Sequence, residues 1–101
     1  MHRAAVVQYH TSADSAEHNR ALIENVLAEL TARDPGGLDY QVLQFEDGTG
    51  FLHVAVFDGT SDAFADCEAD RKFHRDLEQR LATPPIVSRA RLIGAYFGRN
   101  R

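Results

Sequence analysis

A chain of 101 residues, 44% hydrophobic and 26% charged, is sized for one globular domain spanning residues 1–101. A formal net charge of -4 with no basic block argues against nucleic acid as a partner, and no apolar run is long enough to span a membrane. Cys67 is the only cysteine, so no internal disulfide can form.

The opening MHRAAVVQYH holds too short an apolar run for a signal peptide and is broken by Gln8, which points to a cytoplasmic protein. Arg3 to His10, rich in Val and Tyr, predicts a first strand. Asp14 followed by Glu17 has capping-box spacing for a helix start. Leu22, Ile23, Val26, Leu27 and Leu30 then make one apolar helical stripe, which RDPGG (33–37) stops. LDYQVLQFE (38–46) alternates as a second strand. DGTG (47–50) is turn chemistry, and FLHVAVFD (51–58) completes a hairpin. A second helical region begins at GTS (59–61), with Thr60 or Ser61 as the expected cap and a break near Ala69. Phe73, Leu77 and Leu81 form its stripe. ATPP (82–85) ends it, and Ile86 to Phe97 reads as a last strand, bent or divided near Gly94.

This order, βαββαβ, predicts a ferredoxin-like α+β fold: an antiparallel four-stranded sheet with helices on one face. In the third strand Leu52, Val54 and Val56 oppose Phe51, His53, Ala55 and Phe57. In the second, Leu43 and Phe45 oppose Tyr40, Val42 and Gln44. The purer aliphatic sets are assigned to the helices. The other face then presents Phe51, Phe57, Tyr40 and Val42, too apolar for open water, and a second copy packed sheet to sheet would cover it.

The segments VVQYHTSADSAEHNRALIENVLAEL, FLHVAVFDG and SDAFADCEADRKFHRDLEQRL resemble the dimeric α+β barrel superfamily, in particular its antibiotic-biosynthesis-monooxygenase-like group. Phe57-Asp58 stands where members often have Trp-Glu or Trp-Asp, and Phe73-His74 falls near the group's histidine-aromatic stretch. The resemblance implies a homodimer and a ligand held between sheet and helices or in the barrel. It also implies a cofactor-independent, monooxygenase-like activity on a small aromatic or quinol-type molecule. A non-catalytic ligand-binding or structural protein of the same fold is the alternative, and an isomerase of a small acid the third. Haem-degrading relatives typically use Trp, which this chain lacks, with an Asn, for which Asn19 is available early on the first helix.

Candidate site residues are polar groups in apolar surroundings. His53 is the first, as a proton shuttle or a hydrogen-bonding partner for a bound oxygen. Gln8 and His10 share one face of the first strand and are expected to approach it. Tyr40, with Tyr9 and Tyr96, offers hydroxyls. Phe51 and Phe57 would form aromatic walls. Arg91, paired on its face with Arg89, suits an anionic group. His74, four residues from Asp70 and Glu78, is the helical candidate. Each has a competing structural reading: a satisfied buried histidine, core filling, or a solvated charge. Asp62, Asp66 and Asp70 read as a solvated acidic stripe. No HxH, HExxH or CxxC spacing is present, so neither a metal nor a cofactor is expected. Cys67 lies among Asp66, Glu68 and Asp70, which disfavours its thiolate and marks it as structural.

Overall fold

A computed structural model describes residues 2–59 and 62–98. Strand β1 (Arg3–His10) leads through a short 3-10 turn, Ala13–Ser15, into α1 (Ala16–Arg33). Strands β2 (Leu38–Gln44) and β3 (Gly50–Phe57) follow, then α2 (Glu68–Arg75), α3 (Leu77–Arg80) and β4 (Ile86–Arg91). The sheet order is β2-β3-β1-β4 with every neighbour antiparallel, which is the expected ferredoxin-like arrangement. No helix of the described residues is long and apolar enough to cross a membrane.

Helix α1 carries the expected stripe, with Ile23 and Val26 buried and Leu22, Leu27 and Leu30 packed against the core. The Asp14–Glu17 capping box does not form. Asp14 already lies inside the 3-10 turn, no side chain caps the helix, and Glu17 pairs with Arg20 instead. The helix stops at Asp34, which takes a left-handed conformation (φ 49°) while its N–H donates to Leu30 O at 2.8 Å. The β2–β3 turn is built on Asp47, whose Oδ1 accepts from the Thr49 and Gly50 N–H groups at 2.8 and 2.9 Å, with Gly48 at φ 83°.

The second helical region differs from expectation. Residues 63–66 form a turn, α2 starts after Cys67, and the break falls at Asp76 rather than near Ala69. Thr60 and Ser61, the expected caps, lie outside the described residues. Strand β4 is also shorter than predicted. Its partner β1 begins at Arg3, opposite Arg91, so the residues beyond have no strand to pair with after Leu92 N–H reaches His2 O.

The two faces of the sheet are the reverse of those expected. Register places Val7, His53 and Val42 side by side, Tyr9 beside Phe51, and Tyr40 beside Ala55. This set lies under the helices, where Tyr9, Phe51 and Phe73 join Ile23, Val26 and Cys67 in the core. Leu52, Val54 and Val56 occupy the open face and are only partly buried, with Leu43 at 48% and Ile86 at 64% exposure near its edges. Both sets were apolar enough for either role. Reach contributes to the outcome, because aromatic rings span the gap between a sheet and a helical layer that short β-branched side chains leave unfilled.

Candidate functional site

His53 stands mid-strand on the covered face and is 7% exposed. Tyr40 from β2 lies within 2.6 Å of His53 Nδ1, and Tyr9 from β1 within 2.7 Å of Nε2. Both ring nitrogens are therefore engaged by tyrosine hydroxyls. Burial, helped by nearby His74, pulls the His53 pKa down to about 4, so the ring is neutral at ordinary pH. Burial likewise pushes Tyr9 up to about 12 and Tyr40 higher, the latter with Asp70 opposing its ionisation.

The network continues beyond Tyr9. Asn19 Nδ2 donates to the Tyr9 oxygen at 3.1 Å, and Arg80 Nε donates to Asn19 Oδ1 at 2.9 Å. Arg80 also donates to Phe73 O at 2.7 Å, and its guanidinium lies 5.1 Å from the Phe73 ring centroid. Arg80 is 4% exposed, yet none of the ion pairs among the described residues includes it, and its second terminal nitrogen has no partner. A buried cation held by amide, carbonyl and ring is costly, which makes its retention informative.

One side of this network opens into a cavity of about 300 Å³ between the sheet and the α2 layer. Ala5, Val7, Ala55, Phe57, Phe64, Phe73 and Leu77 supply its apolar lining, and Tyr9, Tyr40 and His53 a polar wall. Asp62, Asp70 and His74 also line it. Burial raises the Asp70 carboxyl, and His74 Nδ1 lies 3.5 Å from Asp70 Oδ1. A dry cavity half this size can hold benzene, so this one suits a molecule of one or two fused rings. Among the described residues no group of three His, Cys, Asp or Glu is placed to hold a metal ion.

The sequence-predicted candidates separate cleanly. His53, Tyr40, Phe57 and His74 meet at this cavity. Gln8 does not. It pairs with Leu52 and Ile86 on the open face, because even-numbered β1 residues point away from His53. His10 shares that face and bonds Asp47 of the hairpin turn at 3.2 Å. Phe51 is core, 1% exposed and stacked on Tyr9, so it supports the wall from behind instead of lining the cavity. Arg91 and Arg89 sit exposed on β4 and do not reach the cavity, and Tyr96 is exposed beyond the sheet. Asp62 and Asp70 line the cavity and Asp66 does not, and both Asp62 and Asp66 precede α2, so the three form no single helical stripe. Cys67 is fully buried and burial raises its thiol pKa, in keeping with a structural role.

Of the rest of the network, Asn19 was named only as a counterpart to the asparagine of haem-degrading relatives, and Arg80 escaped the sequence reading. Asn19 falls on the inward stripe Ala16, Asn19, Ile23, Val26 of α1. Arg80 follows Phe73 and Leu77 at helical spacing. A polar residue inside an apolar stripe was the available signal in both places.

No family model matches the chain, and no curated protein matches it. Solved structures do. A protein of unknown function from Nitrosomonas europaea superposes with a TM-score of 0.74 at 15% identity, covering 98% of this chain and 96% of that one. A provisionally assigned antibiotic biosynthesis monooxygenase from the same organism gives 0.73 at 18% identity, covering 91% and 99%. A dimeric ferredoxin-like protein from an uncultured marine organism gives 0.62 at 12% identity, covering 95% and 91%. The chain therefore shares the ferredoxin-like α+β fold of these solved structures, among them an antibiotic-biosynthesis-monooxygenase-like protein and a dimeric one.

Proposed function

We propose that the cavity binds a small, flat, uncharged aromatic molecule of phenolic or quinol type, on which the chain acts as a monooxygenase-like enzyme. The observation that carries this reading is a largely apolar cavity of about 300 Å³ with a neutral Tyr40–His53–Tyr9 array in its wall. Flat apolar walls favour a ring, and the Tyr40 hydroxyl offers its oxygen a partner. The carboxylates of Asp62 and Asp70 disfavour an acidic ligand, and Arg91 is too far out to hold one, so the isomerase alternative loses its support. The keto form of such a phenol carries an activated ring methylene, which can react with dioxygen to give a carbonyl and water, the substrate supplying all the electrons. In such a step Tyr40 would hold the ring oxygen while the helices exclude water.

A non-catalytic binding protein is the second reading. It is favoured by one observation: both His53 nitrogens are already taken, which leaves no free base facing the ligand. Thermal-shift titration with the bicyclic phenol 1-naphthol, alongside oxygen uptake, separates the two. Stabilisation of native protein with uptake above the spontaneous rate supports the enzyme. Stabilisation alone supports the binder. Absence of stabilisation in native protein, matching His53→Ala, sinks the cavity reading.

The open face supports a homodimer. It carries Val6, Leu52, Val54 and Val56 with the exposed Leu43 and Ile86, and a structural neighbour is dimeric. Light scattering should give a dimer for native protein and a monomer for Val54→Lys; a native monomer at micromolar concentration would defeat the sheet-to-sheet packing. A cytoplasmic setting goes with this reading, since Cys67 is buried and unpaired.

A further inference from the structure

The hydrogen-bond chain Arg80–Asn19–Tyr9–His53–Tyr40 runs from a buried cation to the cavity wall, and its direction follows from the chemistry of one end. A guanidinium has donors only. Arg80 Nε therefore fixes Asn19 Oδ1 as an acceptor and turns the amide nitrogen toward Tyr9. The Tyr9 oxygen thus accepts from Asn19, and its single hydrogen is left for His53 Nε2. An Nε2 that accepts belongs to a neutral ring protonated on Nδ1, and that N–H donates to the Tyr40 oxygen. Among the Tyr9, His53 and Tyr40 hydrogens, only that of the Tyr40 hydroxyl is then without a partner, and Tyr40 lines the cavity. In the opposite polarity the orphan hydrogen would sit on Tyr9, which is 2% exposed and has no other acceptor among its contacts in the network.

We propose that Asn19 and Arg80 are positioning residues that set the polarity of this chain, so that Tyr40 presents a hydroxyl donor to the cavity and selects ligands whose ring bears an uncharged oxygen acceptor. The proposal deepens the pocket reading above and rests on it for its ligand half. Its polarity half stands on the network alone. Neither Asn19 nor Arg80 lines the cavity, so both act through Tyr9 and His53.

One near-isosteric substitution tests it. In Asn19→Asp the side chain has acceptors only. Tyr9 must then donate to the carboxylate, His53 must donate from Nε2, and Tyr40 must donate inward to Nδ1. The cavity now meets a lone pair. Two bicyclic probes of similar size report the change: 1-indanone, which only accepts, and indole, whose N–H only donates. Leaving a buried polar group unpaired costs about 1–3 kcal/mol, so native protein should prefer 1-indanone by about tenfold or more, and Asn19→Asp should prefer indole. Independently of any ligand, nitrogen-15 NMR should show the Nδ1–H tautomer of His53 in native protein and the Nε2–H tautomer in Asn19→Asp.

A native Nε2–H tautomer, or a tautomer unmoved by Asn19→Asp, overturns the proposal. The expected tautomers with neither probe bound uphold the polarity and overturn the pocket reading instead. Tyr40→Phe guards against a variant that fails to fold. It should abolish the preference for 1-indanone while leaving His53 protonated on Nδ1, and an undiminished preference refutes the role given to Tyr40.

Discussion

Acid should destabilise this protein through His53. The imidazole has an ordinary pKa of 6.5 when unfolded and about 4 when folded, because burial penalises its charged form. Between these values the unfolded chain binds the extra proton, so stability falls as pH falls from about 6.5 toward 4 and is complete above 6.5. A shift of this size corresponds to about 3 kcal/mol, of which about 2 to 3 kcal/mol should be lost between pH 7 and pH 4.5. Other groups titrate in the same range, so the measurement is a difference. His53→Gln does not ionise, and its amide still offers one donor and one acceptor to the two tyrosines. Urea unfolding of both proteins at pH 7 and pH 4.5, at one protomer concentration, isolates the His53 contribution. Native protein should lose about 2 to 3 kcal/mol more than His53→Gln over this interval. Parallel losses, or a folded-state His53 titration above pH 6 by NMR, would falsify the account of a desolvated neutral ring.

Other perturbations follow from packing and hydrogen bonding. Phe73→Ala removes a buried ring that contacts His53 and lies beside Arg80, and should cost about 3–5 kcal/mol in urea unfolding. Asp47→Ala frees two turn N–H groups and should cost about 1 kcal/mol, seen as a small drop in Tm. Gly50→Ala places a methyl 2.3 Å from Phe45 Cδ2 and 2.8 Å from His10 Nε2, so Phe45 must move and stability should fall by about 1–3 kcal/mol, read by the same melt. Glu29→Gln weakens the carboxylate that accepts from the Glu68 and Ala69 N–H groups at the start of α2, and should raise amide exchange there without changing the β-sheet.

The order of elements was legible because each carries a local signal. Val and Tyr enrichment marks β1, the Leu22–Leu30 stripe marks α1, and DGTG marks the hairpin. Where the signal depended on a partner, the reading failed. Ile86 to Phe97 reads as one long strand, yet β4 ends where β1 has no more residues to offer it. Pairing length is a property of two strands, and neither sequence states it alone. The capping box failed for a related reason, since Asp14 is absorbed into a 3-10 turn that only the approach of β1 to α1 defines.

The face assignment is the more consequential case, because it moved His53 from the open face to the covered one. Alternation shows which residues share a face but not which face meets the helices, and here both sets are apolar. What decides it is complementarity with residues far away. Tyr9, His53 and Tyr40 belong on the covered face because Asn19 of α1 and Arg80 of α3 are there to meet them. Had the aliphatic set packed inward, Asn19 and Arg80 would have been buried against Leu and Val with their polar groups unpaired, a penalty of about 1–3 kcal/mol for each such group and more for the cation. The two polar breaks in otherwise apolar helical stripes therefore carried the information that the strands lacked. An inward Asn and an inward Arg require polar partners, and Tyr9, backed by His53 and Tyr40, supplies the strand end of that network.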